Sequence, residues 1–273
     1  MAYQPIYGTQ SKSTGSSGPM QGQFMVTLTQ PGGDKSVSGV TLQLQRRALV
    51  AEFAGYLNVG DRVVTDLSLQ DGRAPVRATG HIVDRYLIST THHHAMTVAF
   101  DDLAGDDAER VNTTVEAATN DLIRFFKEFP LFGEFTIGDT LLMAELCFRH
   151  FLRRQEVFFR RGVQQDRLDG LFVVRRGMIQ VYKKITRLRE EKIAVVGVGE
   201  IFGELSLVLP AAHTASIRAI NDSELIEINR ETYARLKENH PPVAMKLMEV
   251  MLKVLAKRLG RTTRMLFSPV AIR

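Results

Sequence analysis

Short runs of alternating apolar and polar residues dominate this chain, and Gly, Asp or Asn residues bound them. In the N-terminal half they read FMVTLT, VTLQLQ, DRVVTDLSL, PVRATGHIVDRYLI and AMTVAF. In the C-terminal half they read EVFFRRG, GLFVVRRGMIQVYKK, KIAVVGVG, HTASIRAI and SELIEI. Alternation with a period of two is typical of strands with one buried face, and many short strands favour an antiparallel sheet or small barrel. The chain is therefore predicted to be mainly β with flanking helices.

Helical patterns interrupt these strands and divide the chain. Its 273 residues suit two domains of roughly 100 to 150 residues each. Residues 1–22 are rich in Gly, Ser and Gln, so we predict a flexible tail there. We predict a β-barrel over residues 23–118, a connecting helix over 119–135, and a second β domain with a long C-terminal helix over 136–273. Within the second domain, residues 136–151 fit a helix that precedes the strands.

Composition bears on location and on partners. No run approaches the roughly 18 uncharged apolar residues that span a bilayer, and the N-terminus lacks a signal-peptide pattern, so we expect a cytoplasmic protein. The single cysteine, Cys147, excludes an internal disulfide and is typical of a reducing compartment. Residues 1–120 carry nine basic and twelve acidic residues, whereas residues 121–273 have a net charge of +8. The basic half suits an anionic ligand, an acidic partner, nucleic acid, or merely a solvated face.

The most informative segment reads GEIFGELSL from Gly199 to Leu207, followed by PAAHTAS from Pro210 to Ser216. A glycine at a strand end that opens into a helical turn lets backbone N–H groups approach an anion closely. Glu204, next to Gly203, would repel a phosphate and suits a sugar hydroxyl or a cation instead. The spacing therefore suggests a site for phosphate plus ribose.

This segment resembles the phosphate-binding cassette of the cyclic-nucleotide-binding domain family, whose pattern is F-G-E-(L/I)-(A/S)-L, a short gap, then R-(S/T)-A. The similarity extends from about Phe129 to Arg258. It implies an eight-stranded β-roll (jelly-roll), a ribose contact from Glu204, and a final helix that covers the base and can form a homodimer. The residues that it assigns to a cyclic AMP or cyclic GMP site are Gly203, Glu204, Leu205, Ser206, His213, Thr214, Ala215 and Ser216.

The family's phosphate-pairing arginine falls on His213 in this chain. Arginine offers a permanently charged fork, whereas imidazole offers one N–H and is mostly neutral at pH 7. Losing a charge-assisted contact costs roughly 1.5 to 3 kcal/mol, which is about ten- to a hundredfold in affinity. Two interpretations stay open: a weakened nucleotide site, or a roll kept as a scaffold with an empty pocket.

In the N-terminal half, Asp34, Ser36 and Gly39 fit the spacing D-x-S-x-x-G. Asp and Ser can bond a guanine or backbone edge, and Gly is expected to supply an unusual turn. With the strand runs that follow, residues 24–118 resemble the PilZ domain, a small barrel that binds cyclic di-GMP. That family also needs R-x-x-x-R upstream, and no arginine precedes Arg46. We therefore predict a PilZ-like barrel with weak or no cyclic di-GMP binding.

Two further groups of residues could carry chemistry. The run His92-His93-His94 is interpreted as a polar hairpin turn, because no cluster of Cys or Asp supports a metal site beside it. Cys147 and His150 lie three residues apart on the predicted helix, but no third group orients them. The thiol is therefore interpreted as buried and structural. No other motif supports catalysis, and no cofactor or metal is expected.

The final helix carries an apolar stripe that is too continuous for a free surface helix. Its members are Met248, Leu252, Leu255, Leu259 and Leu266. About a dozen residues follow Arg261, so we expect no helix-turn-helix for DNA binding after it. The sequence predicts a bacterial signalling or adaptor protein, not an enzyme, that senses cyclic AMP or cyclic GMP and acts through a protein partner. The alternative is an interaction scaffold whose two degenerate domains bind no ligand.

Overall fold

The computed structural model describes most of the chain. The described ranges are 23–33, 35–88, 93–103, 105–159, 169–186, 189–209 and 215–267. Within them, the side chains of residues 159 and 264–267 are left out of the description. The predicted tail over residues 1–22 lies outside the described residues, as do Asp34, His92, His213 and Thr214.

The first six strands close into an antiparallel barrel. They are β1 (Met25–Thr29), β2 (Ser36–Leu44), β3 (Ala48–Phe53), β4 (Arg62–Ser68), β5 (Val76–Ile88) and β6 (His93–Asp102). Their order around the barrel is β1-β2-β3-β6-β5-β4, and β4 pairs with β1 to close it. Alternate side chains fill the core, as in β4, where Val63, Thr65 and Leu67 are buried. The predicted N-terminal barrel is confirmed.

Strand β3 is the barrel strand that the sequence patterns missed. Leu49, Ala51 and Phe53 point into the barrel core, whereas Val50 on the other face packs against the C-terminal half. The sequence of β3 is ALVAEF, which shows little alternation of polar and apolar residues because the strand is buried on both faces. The period-two signal is therefore lost where this strand meets a second domain.

Helix α1 (Gly105–Glu128) connects the two halves and is followed by a 3₁₀ turn (Pro130–Phe132) and helix α2 (Ile137–Leu146). The helix that we expected over 119–135 thus begins earlier, where Asp106 and Asp107 favour a helix N-terminus. The prediction of a helix over 136–151 is wrong beyond Leu146, because residues 148–152 form a strand. Pairing of that strand within the second sheet overrides its helical spacing.

The C-terminal half is a β-roll of eight described strands. They are β7 (Phe148–Leu152), β8 (Val157–Phe159), β9 (Gly170–Arg176), β10 (Ile179–Lys184), β11 (Glu190–Val196), β12 (Ile201–Phe202), β13 (Ser216–Ala219) and β14 (Ser223–Asn229). They form two four-stranded sheets, ordered β11-β10-β13-β8 and β12-β9-β14-β7. Three helices complete this half: α3 (Glu204–Val208), α4 (Arg230–Asn239) and α5 (Pro241–Phe267). The predicted fold class is confirmed.

The barrel and the roll share a hydrophobic core. Leu42, Val50 and Ile88 of the barrel belong to the same buried cluster as Leu152 and Phe158 of the roll. The Gln43 amide of the barrel also donates to the main-chain oxygens of residues 145 and 147, at 3.1 Å each. The two domains therefore pack directly against each other.

Helix α5 buries one face and exposes another. The buried face packs on the roll through Val243, Ala244, Leu247, Val250 and Met251. The stripe predicted from the sequence lies on the outer side, where Met248, Leu252 and Leu259 are 47%, 58% and 68% exposed. In the part of the chain that the structure describes, α5 and the other helices are all too short or too polar to cross a bilayer.

Candidate functional site

The predicted nucleotide segment begins at Gly203, which joins β12 to α3. Gly203 adopts φ +81°, a left-handed conformation that favours glycine. A Cβ at this position would lie 2.3 Å from the Gly170 carbonyl oxygen and 2.8 Å from Cδ2 of Phe172. Both the backbone angle and the close approach of β9 therefore require glycine here. This turn directs Glu204 into the protein, where its side chain is 7% exposed.

The carboxylate of Glu204 forms an ion pair with an arginine from the final helix. Arg258 Nη1 donates a hydrogen bond to Glu204 Oε1, and Arg258 Nη2 donates to the Ile201 carbonyl oxygen at 2.5 Å. This guanidinium therefore bridges α5 to both sides of the glycine turn. Sequence reasoning missed Arg258 as a site residue, because 54 positions separate it from Glu204 and no local pattern links them.

The remaining predicted site residues come from two sheets. Leu205 is 46% exposed on α3, and the Ser206 carbonyl oxygen accepts a hydrogen bond from Arg230 Nη2 at 2.5 Å. Ala215 is half-buried and directly precedes β13, which begins at the buried Ser216. Gly203 and Glu204 follow a strand of one sheet, and Ser216 belongs to the other. His213 and Thr214, which would complete the segment, lie outside the described residues.

The arginines that surround this segment are engaged in ion pairs. Arg230 pairs with Asp169 at 3.3 Å, and Arg258 pairs with Glu204. Arg218 on β13 pairs with Glu190 and lies 4.4 Å from the ring centroid of Tyr182. An anionic ligand must therefore displace one of these partners or be held by other groups.

The PilZ-like motif is only partly described, because Asp34 lies outside the described residues. The Ser36 hydroxyl at the start of β2 lies 3.2 Å from that of Thr29. The expectation that Gly39 supplies an unusual turn is wrong, because Gly39 lies within β2 and is not among the positive-φ glycines. A Cβ there would lie 2.1 Å from the Glu52 carbonyl oxygen and 2.6 Å from the Phe53 ring. Close strand packing, not a turn, accounts for this glycine.

The histidine run does not form the hairpin turn that we predicted at His93 and His94, which begin strand β6. His93 Nδ1 lies 2.8 Å from Glu52 Oε1, whereas the ring of His94 lies 4.8 Å from that of Tyr56. Successive strand residues point to opposite faces, which fits these separate partners. The two imidazoles therefore do not converge on one ion.

Cys147 and His150 do not share a helix, because Cys147 caps the end of α2 and His150 lies on β7. Cys147 is buried, as predicted, and burial raises the pKa of its thiol to about 12. His150 bonds Glu227 at 2.6 Å inside the roll. The cysteine is thus a thiol and not a thiolate at neutral pH, which makes it a poor nucleophile.

Comparisons with known proteins bear on the roll. Residues 149–240 match the family model of the cyclic nucleotide-binding domain. The cyclic AMP receptor protein of Thermus thermophilus is 32% identical over 113 residues, covering 40% of this chain and 50% of that protein. The CRP-like cAMP-activated global transcriptional regulator of Mycobacterium tuberculosis is 28% identical over 94 residues, covering 34% of this chain and 40% of that protein. A solved cyclic nucleotide-binding domain from Methylobacillus flagellatus is 22% identical with a TM-score of 0.48, covering 58% of this chain and 87% of that one.

The match covers the segment from Gly203 to Ser216 and so confirms a cyclic nucleotide-binding domain in the C-terminal half. The chain spans half or less of the length of these two curated relatives. The PilZ-like resemblance of the barrel stays a prediction.

Proposed function

We propose that this chain is a bacterial cytoplasmic signalling or adaptor protein, and not an enzyme, that senses cyclic AMP or cyclic GMP in its roll. The carrying observation is the buried Glu204, which Gly203 places inside the range that matches the cyclic nucleotide-binding domain. Two relatives named for cyclic AMP support this ligand class. The protein acts through a protein partner, and its single cysteine is consistent with a reducing compartment.

Glu204 binds the ribose hydroxyl in this proposal, and that hydroxyl must compete with Arg258. The hydroxyl donates to the carboxylate, and the guanidinium leaves it. Exchanging an ion pair with a guanidinium for a hydrogen bond from a neutral hydroxyl lowers the apparent affinity. Because Arg258 lies on α5, nucleotide binding and the position of this helix are energetically coupled. The helix is thus the element that reports an occupied site.

The phosphate is held by the Gly203 turn and by His213, which stands where the family has arginine. An imidazolium pairs with phosphate, whereas a neutral ring only donates one hydrogen bond. Binding is therefore expected to be weak at pH 7 and stronger at pH 6 than at pH 8. His213→Arg restores a guanidinium that can donate two hydrogen bonds to the phosphate, and it is expected to tighten binding roughly tenfold or more.

The exposed side of α5 is the proposed homodimer surface. Met245, Met248, Leu252 and Leu259 are 47% to 68% exposed along it. Helix α2 lies beside α5, since Lys246 bonds Asp139, and contributes the exposed Ile137 and Leu141. An apolar surface of this kind on two elements marks an interface. We propose a second copy of the chain as its occupant.

The test is calorimetric titration of the protein and its variants with cyclic AMP and with cyclic GMP. Arg258→Gln removes the competing guanidinium and is expected to tighten binding about tenfold, whereas Glu204→Gln weakens it. Lys257→Gln, an exposed neighbour on the same helix, is the matched control and leaves affinity unchanged. Light scattering of the same samples is expected to give the mass of a dimer.

One observation favours the scaffold as a second candidate: Arg258 already satisfies Glu204 without a ligand. The scaffold predicts no heat of binding for the wild type, Arg258→Gln or His213→Arg at millimolar nucleotide. That result would overturn nucleotide sensing. A monomer in light scattering would overturn the homodimer alone.

A further inference from the structure

Three nitrogen-bearing side chains of the barrel converge on one aromatic ring. Tyr56, which follows β3, is 43% exposed. Lys35 Nζ lies 4.7 Å and Arg85 Cζ lies 4.4 Å from the centroid of its ring. The ring of His94 lies 4.8 Å away and is tilted by 51°. We call Lys35, Tyr56, Arg85 and His94 the barrel-mouth cluster.

The cluster lies at one end of the barrel. Arg85 on β5 is paired with Met96 on β6, and cross-strand partners share a face. Met96 is fully buried in the barrel core. His94 is two positions from Met96 along β6 and therefore shares that inner face. Tyr56 follows β3 and Lys35 precedes β2 at this same end.

The positive charge of the cluster is uncompensated within the described part of the chain. Neither Lys35 nor Arg85 makes an ion pair with a described residue. Of the carboxylates on the neighbouring strands, Asp84 accepts the main-chain N–H of Arg85 at 2.8 Å, and Glu52 bonds His93. Two cations on one ring are within about 10 Å of each other and repel at that distance.

Two nitrogen atoms of the cluster are also buried without partners. Arg85 Nη1 and His94 Nδ1 have no hydrogen-bond partner although both are shielded from solvent. A buried N–H without an acceptor is costly, and more so in a charged group. Burial and the charges of Arg85 and His93 lower the pKa of His94 below its ordinary value. The region thus already carries positive charge that disfavours a further proton.

We infer that the barrel mouth binds a small phosphate-bearing anion through Lys35, Arg85 and His94. A phosphate group supplies several acceptor oxygens, which matches donors that converge from three strands and loops. The Arg85 guanidinium can donate two hydrogen bonds to the phosphate. The Lys35 ammonium supplies a compact positive charge, and the His94 imidazole donates through a single N–H. This site is separate from Glu204 and Gly203, which lie in the roll.

The experiment is calorimetric titration of the full chain with inorganic pyrophosphate and, separately, with adenosine 5′-monophosphate, at matched ionic strength. Arg85→Gln and Lys35→Gln are each expected to weaken binding about tenfold or more. Arg47→Gln is the matched control, because Arg47 follows the opposite end of β2 from Lys35. Pyrophosphate carries no ribose for Glu204 to bind, so its titration separates this site from the proposed nucleotide pocket.

The two ligands distinguish the source of the phosphate. Tighter binding of the monophosphate indicates a nucleotide, and equal or tighter binding of pyrophosphate indicates a free phosphate. Either outcome supports the site when Lys35→Gln weakens that binding. Lys35 is exposed, so Lys35→Gln keeps the test informative if Arg85→Gln fails to fold. The proposal is overturned if neither ligand binds at millimolar concentration. It is equally overturned if Lys35→Gln and Arg47→Gln weaken binding to the same extent.

Discussion

The roll and the barrel differ in how each holds one of its groups of cations. In the roll, Arg149 and Arg175 both bond the buried Glu224, and Arg258 bonds Glu204. In the barrel, Lys35 and Arg85 lie on Tyr56 with no ion-pair partner among the residues described. The net charges of the two halves would suggest that free cations lie in the C-terminal half, because that half is the basic one. Burial and pairing, not net charge, decide which cations are available to a ligand.

This contrast has an energetic side. Buried ions lose their hydration, so each must be compensated by a partner in the protein. Exposed ions keep their hydration, so their pairs contribute little to stability. The roll therefore depends on its ion pairs for stability, whereas an exposed cation of the barrel such as Lys35 can serve binding at little structural cost.

The largest expected effect compares a buried pair with a surface pair. Glu224 is 1% exposed and is contacted by Arg149 at 2.6 Å and by Arg175 at 2.7 Å. Glu224→Gln leaves these guanidiniums short of a counter-charge, and the free energy of unfolding in urea is expected to fall by about 3 kcal/mol or more. Glu116→Gln, whose partner Arg46 is 66% exposed, is expected to cost less than about 1 kcal/mol. Similar losses in the two variants would contradict the contrast.

A smaller effect compares two glycines in the left-handed conformation. Gly203 has φ +81°, and a Cβ there would lie 2.3 Å from a carbonyl oxygen, whereas Gly60 of the barrel has φ +90° and open space. Gly203→Ala combines backbone strain with overpacking, and we expect a loss of about 2 to 4 kcal/mol. Gly60→Ala introduces strain alone, about 1 to 2 kcal/mol. Thermal unfolding measures both, and a larger loss for Gly60→Ala would show that space at the turn does not matter.

The smallest effect concerns pH at the boundary of the two domains. The hydrogen bond to Glu52 raises the pKa of His93, and the nearby Glu156 adds to this. Because the folded pKa lies above the unfolded value, the stabilisation is complete below about pH 6.5 and is lost as pH rises through the folded pKa. His93 is 41% exposed, so we expect a decline of less than about 1 kcal/mol.

Unfolding in urea between pH 5.5 and 8.5 measures this decline. His93→Gln is expected to flatten it, whereas His240→Gln at the exposed end of α4 is the control and leaves it in place. A decline of the same size in His93→Gln would assign the pH dependence to other groups. Burial raises the pKa of Glu156 as well, so its ionisation also lowers stability as pH rises, and His93→Gln separates the two contributions.

Much of the fold could be predicted from local patterns, and the failures share a cause. Strand β4 shows alternation because one face meets the core and the other meets solvent. Strand β3 was missed because its outer residue Val50 meets the roll instead of solvent. Residues 148–151 were assigned to a helix because their apolar spacing fits both structures, and only pairing with β14 selects the strand. Local patterns fail where a second domain or sheet replaces solvent.

The sequence by itself determined the mainly β architecture, the glycine turn before Glu204 and the resemblance to a cyclic-nucleotide-binding domain, because each depends on residues close together in the chain. Only the tertiary structure decided that Arg258 occupies Glu204 and that Lys35, Arg85 and His94 meet at Tyr56. These contacts join residues far apart in sequence. Ion pairing and burial depend on distances in space, and no periodicity in the chain encodes those distances.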